Sequence, residues 1–358
     1  MKVALLAPAS SIHTIRWVNG LVGRGLEIHL ISAHEASQGI DCRVHVHRLN
    51  GAAPFAYWGS CKQLSRLLKT IAPDLLNAHY ATGYGLLARC VGYKPTLLSV
   101  WGSDVYEFPR KSPLHKWIVR ENLLAATAVA STSECMARKV REICRGARVF
   151  VTPFGVDERV FAPGSAPAAV SGPIVIGTVK SLTRKYGVDT LIDAFALATQ
   201  RAGNAVALRL EIVGAGEEES ALQRQAERLG LADRIRFHGV VPHALVPEIM
   251  RRFDIFAALS REDSESFGVA AVEAAACQKA VVVSDVDGFV EVVRHQETGL
   301  IVRRDDPEAA AEAMVRLAKD EALRTALGRT GRERVLQRYT WDHSLSSMIE
   351  AYHAVASG

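Results

Sequence analysis

Two glutamates with seven residues between them are the first candidates for chemistry in this chain. Glu265 and Glu273 lie in the segment Ser-Glu-Ser-Phe-Gly-Val-Ala-Ala-Val-Glu-Ala, which follows a polar loop and is rich in alanine. This composition predicts a helix that begins near Ser266 or Phe267. On a continuous helix the two carboxylates would lie about 12 Å apart along the axis, because each residue rises about 1.5 Å. They cannot share one proton, so we expect them to serve two tasks along one extended ligand.

The predicted helix start is itself a candidate anion site. Free backbone amides and the helix dipole attract a diphosphate, and Ser266 and Gly268 allow it to approach the backbone closely. Glu265 alone has a second explanation, because a solvated glutamate at a helix N-terminus is favoured by the dipole. Glu273 lies among Ala and Val, where an unpaired buried carboxylate is costly, so a partner or a ligand is expected there.

Two lysines follow a predicted strand in the second half of the chain. Lys180 and Lys185 come after the apolar segment 174–179 and precede a predicted helix near Gly187. Their ammonium groups could compensate a diphosphate and stabilise the negative charge on a departing nucleotide. Loop lysines are more often simply solvated, and the two residue types alone do not decide between these interpretations.

Two further motifs have structural explanations as well as functional ones. Gly214 and Gly216 form a G-x-G turn, but three glutamates follow, so the third glycine of a dinucleotide fingerprint is missing. Asp285 and Asp287 form a D-x-D motif of the kind that binds metal ions. Gly288 follows directly, and we favour a turn over a metal site.

The loop after the first predicted strand lies where open α/β sheets bind ligands. His13, Arg16 and Trp17 in or near this loop could contact an acceptor or a donor phosphate, and His79 follows another predicted strand. His13 could equally be a first-turn residue that bonds to the backbone.

Short apolar segments alternate with longer segments of helical period, and this alternation is typical of βαβ units with a parallel sheet. The predicted strands are 2–7, 27–32, 75–78, 96–100, 128–131 and 149–152, then 174–179, 208–213, 235–238, 255–258 and 280–284. Residues 162–173 are rich in Pro, Gly, Ser and Ala and are the predicted linker. We therefore expect domains at 1–165 and 174–339, with a C-terminal helix at about 340–358 that returns to the first domain. The chain from Pro307 to Tyr352 is predicted to be mostly helical.

The composition excludes several classes of protein. The 358 residues are 49% hydrophobic and 23% charged, which excludes disordered, collagenous and disulfide-scaffold chains. No apolar segment approaches the ~20 residues of a membrane-spanning helix, and the N-terminus has no secretory signal pattern. The six cysteines form no C-x-x-C pair, so we expect a cytoplasmic protein.

The charge is unevenly distributed along the chain. Residues 1–165 contain 20 basic and 11 acidic residues, a net of +9, and the remainder has a net of −4. Residues 109–120 combine basic residues with Leu114, Trp117 and Ile118 at helical spacing. This pattern fits contact with the inner, anionic membrane surface, and it also fits a helix that packs its apolar stripe on its own domain. The basic residues lack the aromatic interleaving of nucleic-acid surfaces, so no nucleic-acid partner is expected.

The ordered set of motifs resembles the retaining glycosyltransferases of family 4. The segments that carry the resemblance are the Glu-x7-Glu block, Thr152–Phe161, Val213–Gly216, Phe237–Gly239 and Gly102–Asp104. Together they extend over nearly the whole chain. The resemblance implies an α/β protein of the GT-B fold, in which two Rossmann-like doubly wound domains face each other across a cleft.

The resemblance also implies an activity and a set of site residues. It implies retaining, metal-independent transfer from a nucleotide diphosphate sugar, UDP-sugar preferred and GDP-sugar next, to a hydroxyl of a carbohydrate or lipid-linked acceptor. Polysaccharide or glycolipid synthesis is the implied process, and no cofactor is required. The implied catalytic residues are Glu265, Lys185, Lys180 and Asp104. The implied nucleotide-sugar-binding residues are Glu273, Ser266, Phe267, Gly268, Gly214, Gly216 and His238.

Two positions depart from the family pattern. Lys180 stands where Arg is usual, which keeps the charge and loses the bidentate fork. Trp101 stands where many members have a histidine beside the transferred sugar, and an indole cannot accept a proton. Asp104 is the substitute candidate for orienting the sugar or acceptor, with a capping or turn role as the alternative.

Other functions stay open at this point. A catalytically weak nucleotide-sugar-binding subunit is one, and another GT-B enzyme such as a phosphorylase or an epimerase is a second. A nicotinamide-dependent oxidoreductase is disfavoured by the incomplete glycine fingerprint.

Overall fold

The computed structural model describes residues 1–50, 60–164 and 172–358 and divides into two compact units. The first unit contains Met1–Pro153 and Asp342–Gly358, and the second contains Phe154–Trp341. Each unit has one parallel sheet covered by helices, so the two Rossmann-like domains expected from the sequence are confirmed. Of the predicted linker, residues 165–171 lie outside the described residues.

The first unit has a seven-stranded parallel sheet in the order β3-β2-β1-β4-β5-β6-β7. Its strands are β1 (Lys2–Leu6), β2 (Glu27–Ser32), β3 (His45–Arg48), β4 (Leu75–His79), β5 (Thr96–Val100), β6 (Ala128–Ser131) and β7 (Val149–Val151). The strand order reverses between β1 and β4, which is the point where doubly wound sheets bind ligands. β4 and β5 are buried along their whole length, as expected for central parallel strands covered on both faces.

The helices of the first unit connect these strands. They are α1 (Ile12–Gly23), α2 (Cys61–Ile71), α3 (Gly83–Val91), α4 (Ser103–Tyr106), α5 (Pro113–Ala125) and α6 (Glu134–Ile143). Ser112 and Ser133 begin α5 and α6 as N-caps whose side chains accept a backbone N–H, which satisfies a donor that the helix leaves free.

The second unit has a six-stranded parallel sheet in the order β10-β9-β8-β11-β12-β13. Its strands are β8 (Ile174–Val179), β9 (Leu208–Val213), β10 (Ile235–Phe237), β11 (Ile255–Ala258), β12 (Ala280–Ser284) and β13 (Leu300–Val302). Its helices are α7 (Val188–Ala202), α8 (Glu219–Arg228), α9 (Val246–Arg252), α10 (Val269–Ala276), α11 (Asp287–Val292), α12 (Pro307–Lys319) and α13 (Glu321–Arg338).

Two strands of the structure were not predicted. β3 contains His-Val-His-Arg, and β13 has only three residues. Both are edge strands, which pair on one side only and tolerate polar or short sequences. Neither therefore carries the apolar run that identifies a central strand.

The unit boundaries differ from the predicted domain limits. Residues from Phe154 onwards pack with the second unit, because Arg251 donates to Ala162 O at 3.0 Å and Val156 bridges to Thr340. The last helix, α14 (Trp341–Ala356), lies in the first unit from Asp342 onwards.

Candidate active site

The first part of the candidate site is the loop between β11 and α10 in the second unit. α10 begins at Val269, later than predicted, and Gly268 is its N-cap with a φ of 81°. A Cβ at Gly268 would lie 2.6 Å from Cδ1 of Phe289, closer than real side chains approach. The left-handed backbone and this contact both require glycine at the helix start.

Lys180 and Glu265 form an ion pair on this loop. The Nζ of Lys180 contacts Oε2 of Glu265, and each side chain is 10% exposed. The hydroxyl of Ser260 donates to the same carboxylate oxygen at 3.4 Å. Two candidate residues that lie 85 positions apart in the sequence are thus in direct contact.

Two aromatic rings contact the lysines. The Nζ of Lys180 lies 4.9 Å from the ring centroid of Tyr186 and 5.6 Å from that of Phe289. The Nζ of Lys185 lies 5.0 Å from the Tyr186 centroid. Cation–π attraction therefore holds both ammonium groups beside Tyr186. The sequence analysis missed both rings, although Tyr186 is adjacent to Lys185.

Glu273 is nearly buried on α10. Its side chain is 6% exposed, and Oε1 lies 3.3 Å from Nε2 of His243. The partner that the apolar surroundings of Glu273 predicted is thus His243, which starts the 3-10 turn before α9 and is 43% exposed. No sequence pattern connects His243 with Glu273, since the two are 30 residues apart.

The two glycines after β9 position the Lys180 loop. A Cβ at Gly214 would collide with the carbonyl oxygen of Lys180, and one at Gly216 with that of Leu182. The Leu182 amide also donates to Ala215 O at 3.0 Å. Both glycines are therefore explained by close approach of the two loops.

His238 and Phe267 have protein partners. Nε2 of His238 lies 3.1 Å from a carboxylate oxygen of Glu211. The Phe267 ring is 3% exposed and packs edge-on against Phe154 and Tyr339 at centroid distances of 6.1 and 5.5 Å. The side chain of Phe267 packs in the core, so its predicted contact with the ligand would involve its backbone. Ser266 is also buried.

Two arginines that the sequence analysis missed hold the loops around this site. Arg261 donates to both carboxylate oxygens of Asp189 at 2.7 and 2.8 Å. Arg304 donates to Asp263 at 3.0 Å and to Asp285 at 3.1 Å. Asp285 is thus the partner of a guanidinium, whereas Asp287 and Gly288 begin α11, so a helix start lies where the sequence favoured a turn.

In the first unit, Trp101 is the centre of a ring cluster at the carboxyl ends of β4 and β5. Its indole lies 5.5 Å from the His13 ring, 4.9 Å from the His79 ring and 5.5 Å from the stacked Tyr80 ring, measured between centroids. Tyr80 adopts a left-handed φ of 70°, an unusual backbone conformation for this residue type. The structure therefore brings His13, His79 and Trp101 into one ring cluster, three of the six first-unit residues chosen from the sequence.

The imidazole of His79 is oriented by its neighbours. It is 1% exposed, and its Nε2 lies 3.2 Å from Oδ1 of Asn77. The Asn77 amide nitrogen donates to Leu97 O and to Ser99 Oγ, so Oδ1 faces His79 as an acceptor. Burial, and to a smaller extent the nearby His13, lower the pKa of His79 to about 3. The ring is neutral, it donates from Nε2, and within the described part of the chain no group bonds its Nδ1.

Asp104 has the turn role that was its alternative explanation. Its side chain is 2% exposed; Oδ2 accepts the Ala81 N–H at 2.7 Å, and Oδ1 accepts those of Trp101 and Gly102, both at 3.0 Å. Burial raises the pKa of Asp104, and the backbone hydrogen bonds oppose that change. The carboxylate holds the Trp101 loop against the end of β4, which leaves it little capacity to orient a substrate.

The remaining two first-unit candidates lie on α1. Trp17 is 2% exposed, and its ring packs in the core on the buried face of the helix. Arg16 is half-buried beside it.

The basic helix α5 exposes apolar residues. Leu114 is 61% exposed, Trp117 52% and Leu124 48%, whereas Val119 and Leu123 are buried. Of the predicted stripe, Leu114 is mostly exposed, Ile118 is half-buried, and the Trp117 ring is covered in part by the Arg89 guanidinium at 5.6 Å. Across residues 1–50, 60–164 and 172–358, no helix is long and apolar enough to cross a bilayer.

Two family models match the chain. The model described as glycosyl transferases group 1 matches residues 165–334, and the one described as glycosyl transferase 4-like matches residues 2–133. Together they include every strand except β7 and all of the site residues predicted from the sequence.

Curated relatives agree with this match. The phosphatidyl-myo-inositol mannosyltransferase of Mycobacterium leprae is 28% identical over 383 residues, covering 100% of this chain and 98% of the relative. The GDP-mannose:cellobiosyl-diphosphopolyprenol alpha-mannosyltransferase of Xanthomonas oryzae is 27% identical, covering 90% of this chain and 83% of the relative. The D-inositol 3-phosphate glycosyltransferase of Corynebacterium urealyticum is 30% identical, and the match covers 79% of this chain and 72% of the relative.

Solved structures have the same fold. Sucrose-phosphate synthase of Thermosynechococcus elongatus has a TM-score of 0.84 at 19% identity, covering 100% of this chain and 99% of that chain. Anabaena HepE in complex with UDP has a TM-score of 0.80 at 17% identity, and the match covers 99% of this chain and 100% of HepE. The chain therefore belongs to the group 1 glycosyltransferases of the GT-B fold, and it is an enzyme that uses a nucleotide sugar.

Proposed function

We propose that this glycosyltransferase is retaining and metal-independent and transfers a sugar from a nucleotide diphosphate sugar to an acceptor hydroxyl in polysaccharide or glycolipid synthesis. UDP-sugar is the first candidate donor and GDP-sugar the second. The observation that carries the proposal is the nearly buried Lys180–Glu265 ion pair beside the glycine-capped start of α10.

The donor diphosphate binds the two lysines and the first turn of α10. Lys180 and Lys185 supply positive charge, and the free amides after Gly268 supply hydrogen-bond donors. Glu273, whose carboxylate is held next to His243, accepts hydrogen bonds from the ribose hydroxyls.

The arriving diphosphate competes with Glu265 for Lys180. Glu265 then gains capacity to accept hydrogen bonds from the donor sugar. As the glycosidic bond breaks, negative charge grows on the diphosphate, and the lysines stabilise it more strongly than in the ground state. The acceptor attacks from the face that the leaving group departs from, the departing phosphate takes its proton, and no enzyme nucleophile is needed.

The acceptor substrate binds to residues of the first unit. The Trp101 indole offers an apolar face of the kind that packs on sugars, and the buried, neutral His79 ring packs against it at a centroid distance of 4.9 Å. Asp104 keeps the Trp101 loop in place.

The test is a thermal-shift screen of the full chain with UDP, GDP, ADP and their sugars, with and without a chelator. A ligand at 100 times its Kd adds about 2.7 kcal/mol, which raises the melting midpoint by a few degrees. We expect a shift with one nucleoside diphosphate and its sugar that the chelator does not abolish. No response to any nucleoside diphosphate would contradict the proposal.

Variants then connect the screen to the site. Glu273→Ala should weaken donor binding, and Lys185→Ala should lower kcat more than donor affinity, because its charge matters most as the bond breaks. Lys319→Ala is the matched control, since Lys319 is an exposed lysine of the same unit at the end of α12. Equal kinetics for Lys185→Ala and Lys319→Ala would place the site elsewhere.

A catalytically weak nucleotide-sugar-binding subunit is the second candidate. Trp101 favours it, because the indole cannot replace the chemistry of the histidine that many family members have there. Donor binding without turnover across a broad acceptor set would support this alternative.

We also propose that the enzyme contacts the anionic inner face of a membrane through α5 while it works on a lipid-linked acceptor. The exposed stripe of Leu114, Trp117 and Leu124 lies beside Lys111, Lys116 and Arg120 in a region of net positive charge. Apolar insertion with neighbouring basic residues is the pattern of interfacial helices.

A further inference from the structure

A cluster of histidines lies on the edge of the first sheet. β2 and β3 pair in parallel, with His29 opposite His45 and Ile31 opposite His47. Since side chains alternate between faces along a strand, Glu27, His29, His45 and His47 project from one face. The register of two strands thus gathers four residues that can bind metal ions.

The side chains of this cluster are already in contact. Nε2 of His29 lies 3.0 Å from Oε1 of Glu27, and Nδ1 of His29 lies 3.0 Å from Nε2 of His47. The rings of His29 and His45 stack with centroids 4.6 Å apart. One ligand atom each from Glu27, His29 and His45 lies within 4.8 Å of the others.

We propose that Glu27, His29 and His45 form a binding site for a divalent transition-metal ion, with zinc as the expected ion, and that His47 orients His29. Two imidazoles and one carboxylate are ligands that zinc accepts, and three protein ligands leave one position for water.

The two nitrogens of His29 have different tasks in this site. The metal ion binds Nε2 next to the Glu27 oxygen that this nitrogen now contacts. The ring proton then resides on Nδ1 and is donated to Nε2 of His47. A second hydrogen bond of this kind fixes the tautomer and the orientation of a metal-bound histidine.

The site is separate from the transfer chemistry. Glu27 and His45 are the first residues of β2 and β3, whereas His79 and Trp101 lie at the carboxyl ends of strands in the same sheet. The bound ion ties the edge strand β3 to β2, so its expected effect is on stability. A metal ion here is compatible with metal-independent sugar transfer.

Lys2 opposes metal binding. Its Nζ lies 3.3 Å from the same Glu27 oxygen and also donates to Ile71 O at 3.1 Å. An ammonium this close competes with the ion for the carboxylate and repels it. The variant Lys2→Gln should therefore bind zinc more tightly than the natural chain.

The experiment is a zinc titration of the tag-free, metal-stripped full chain by calorimetry, followed by cobalt as a spectroscopic probe. We expect one ion per chain, visible cobalt absorption of a four-coordinate site, and displacement of cobalt by zinc. His45→Gln should weaken zinc binding at least about 10-fold, and His47→Gln about 10–100-fold, as for other partners of metal-bound histidines. His353→Gln is the control, because His353 is an exposed histidine on α14 outside the cluster.

The stability readout tests the same site independently. Zinc should raise the melting midpoint of the natural chain by a few degrees, and the same zinc concentration should raise that of His45→Gln clearly less. His45 is exposed, so this variant should fold normally, which circular dichroism will check. Absence of zinc binding, or equal zinc binding by the natural chain and His45→Gln, would overturn the proposal.

Discussion

Lys180 and Glu265 are opposite charges in contact where each side chain is only 10% exposed. Breaking such a pair leaves the remaining charge poorly solvated, whereas removing both charges avoids that cost. We expect Lys180→Met and Glu265→Gln each to lower the free energy of unfolding by about 1–3 kcal/mol. The double variant should lose clearly less than the sum of the two.

A double-mutant cycle by urea denaturation checks this expectation. Glu265→Gln should in addition lose turnover, since Glu265 is proposed to bind the donor sugar. Strictly additive stability losses would mean that the two side chains do not interact in solution.

The buried, neutral imidazole of His79 makes the free energy of unfolding depend on pH. Its pKa is about 3 in the folded chain, against about 6.5 for an ordinary histidine. Between these values the unfolded chain binds the proton and the folded chain does not, so stability decreases as the pH falls from about 6.5 towards 3. The slope contributed by His79 is up to about 1.4 kcal/mol per pH unit.

The measurement is the free energy of unfolding of the natural chain and of His79→Gln at several pH values from 7 to 4. The variant should lose the part of the slope that His79 contributes, while His353→Gln should keep it. Parallel curves for the natural chain and His79→Gln would show that His79 is not held neutral.

At the scale of elements, the start of α10 depends on one glycine. Gly268→Ala places a Cβ 2.6 Å from the Phe289 ring on a backbone with φ of 81°. We expect a loss of about 2–4 kcal/mol from the strained backbone and the overpacked ring. The affinity for the donor should also fall, because the backbone amides proposed to bind phosphate come immediately after Gly268 in the chain.

Gly146→Ala is the matched control for this substitution. A Cβ at Gly146 meets nothing within 4 Å, and its φ is not in the left-handed region. Urea denaturation and nucleotide thermal shifts of the two variants separate the effect of the site from that of any glycine substitution. Equal behaviour of the two would rule out a special role for the helix cap.

The basic surface at α5 is proposed to bind the whole molecule to anionic membranes. The double reversal Lys111→Glu and Lys116→Glu should weaken binding to anionic lipid vesicles at least about 10-fold, because each basic residue near such a surface contributes about 1 kcal/mol. Vesicle sedimentation at two salt concentrations measures this effect.

The control for this reversal has the same net charge. Lys62→Glu and Lys69→Glu change two exposed lysines on α2 of the same unit. Equal vesicle binding by the two double variants would show that α5 is not the contact surface, and loss in both would indicate net charge alone.

The last helix, α14, packs into the first unit. The Tyr352 hydroxyl on α14 donates to Oδ1 of Asn77 at 2.9 Å, and the same oxygen faces Nε2 of His79. The buried chain Tyr352–Asn77–His79 thus connects the last helix to the ring cluster around Trp101. Periodicity in the sequence predicts the helix, but no local pattern indicates which buried amide it reaches.

Local sequence patterns predicted the two parallel sheets, their central strands and the order of the site motifs. Apolar runs, helical periods and glycine turns are local properties, so they can be recognised without knowing what lies nearby in space. Glu265 and Glu273 were identified in this way, whereas the roles of the two loop lysines were implied by the family resemblance. Edge strands such as β3 were not, because pairing on one side makes little demand on their sequence.

The contacts between these groups became evident from the packed chain. It placed Lys180 against Glu265, His243 beside Glu273, and the histidines of β2 and β3 on one face. It also assigned Asp104 to a turn and the rings of Trp17 and Phe267 to the core. Contacts between distant segments depend on strand order, register and burial, and these are properties of the packed chain that no single segment encodes.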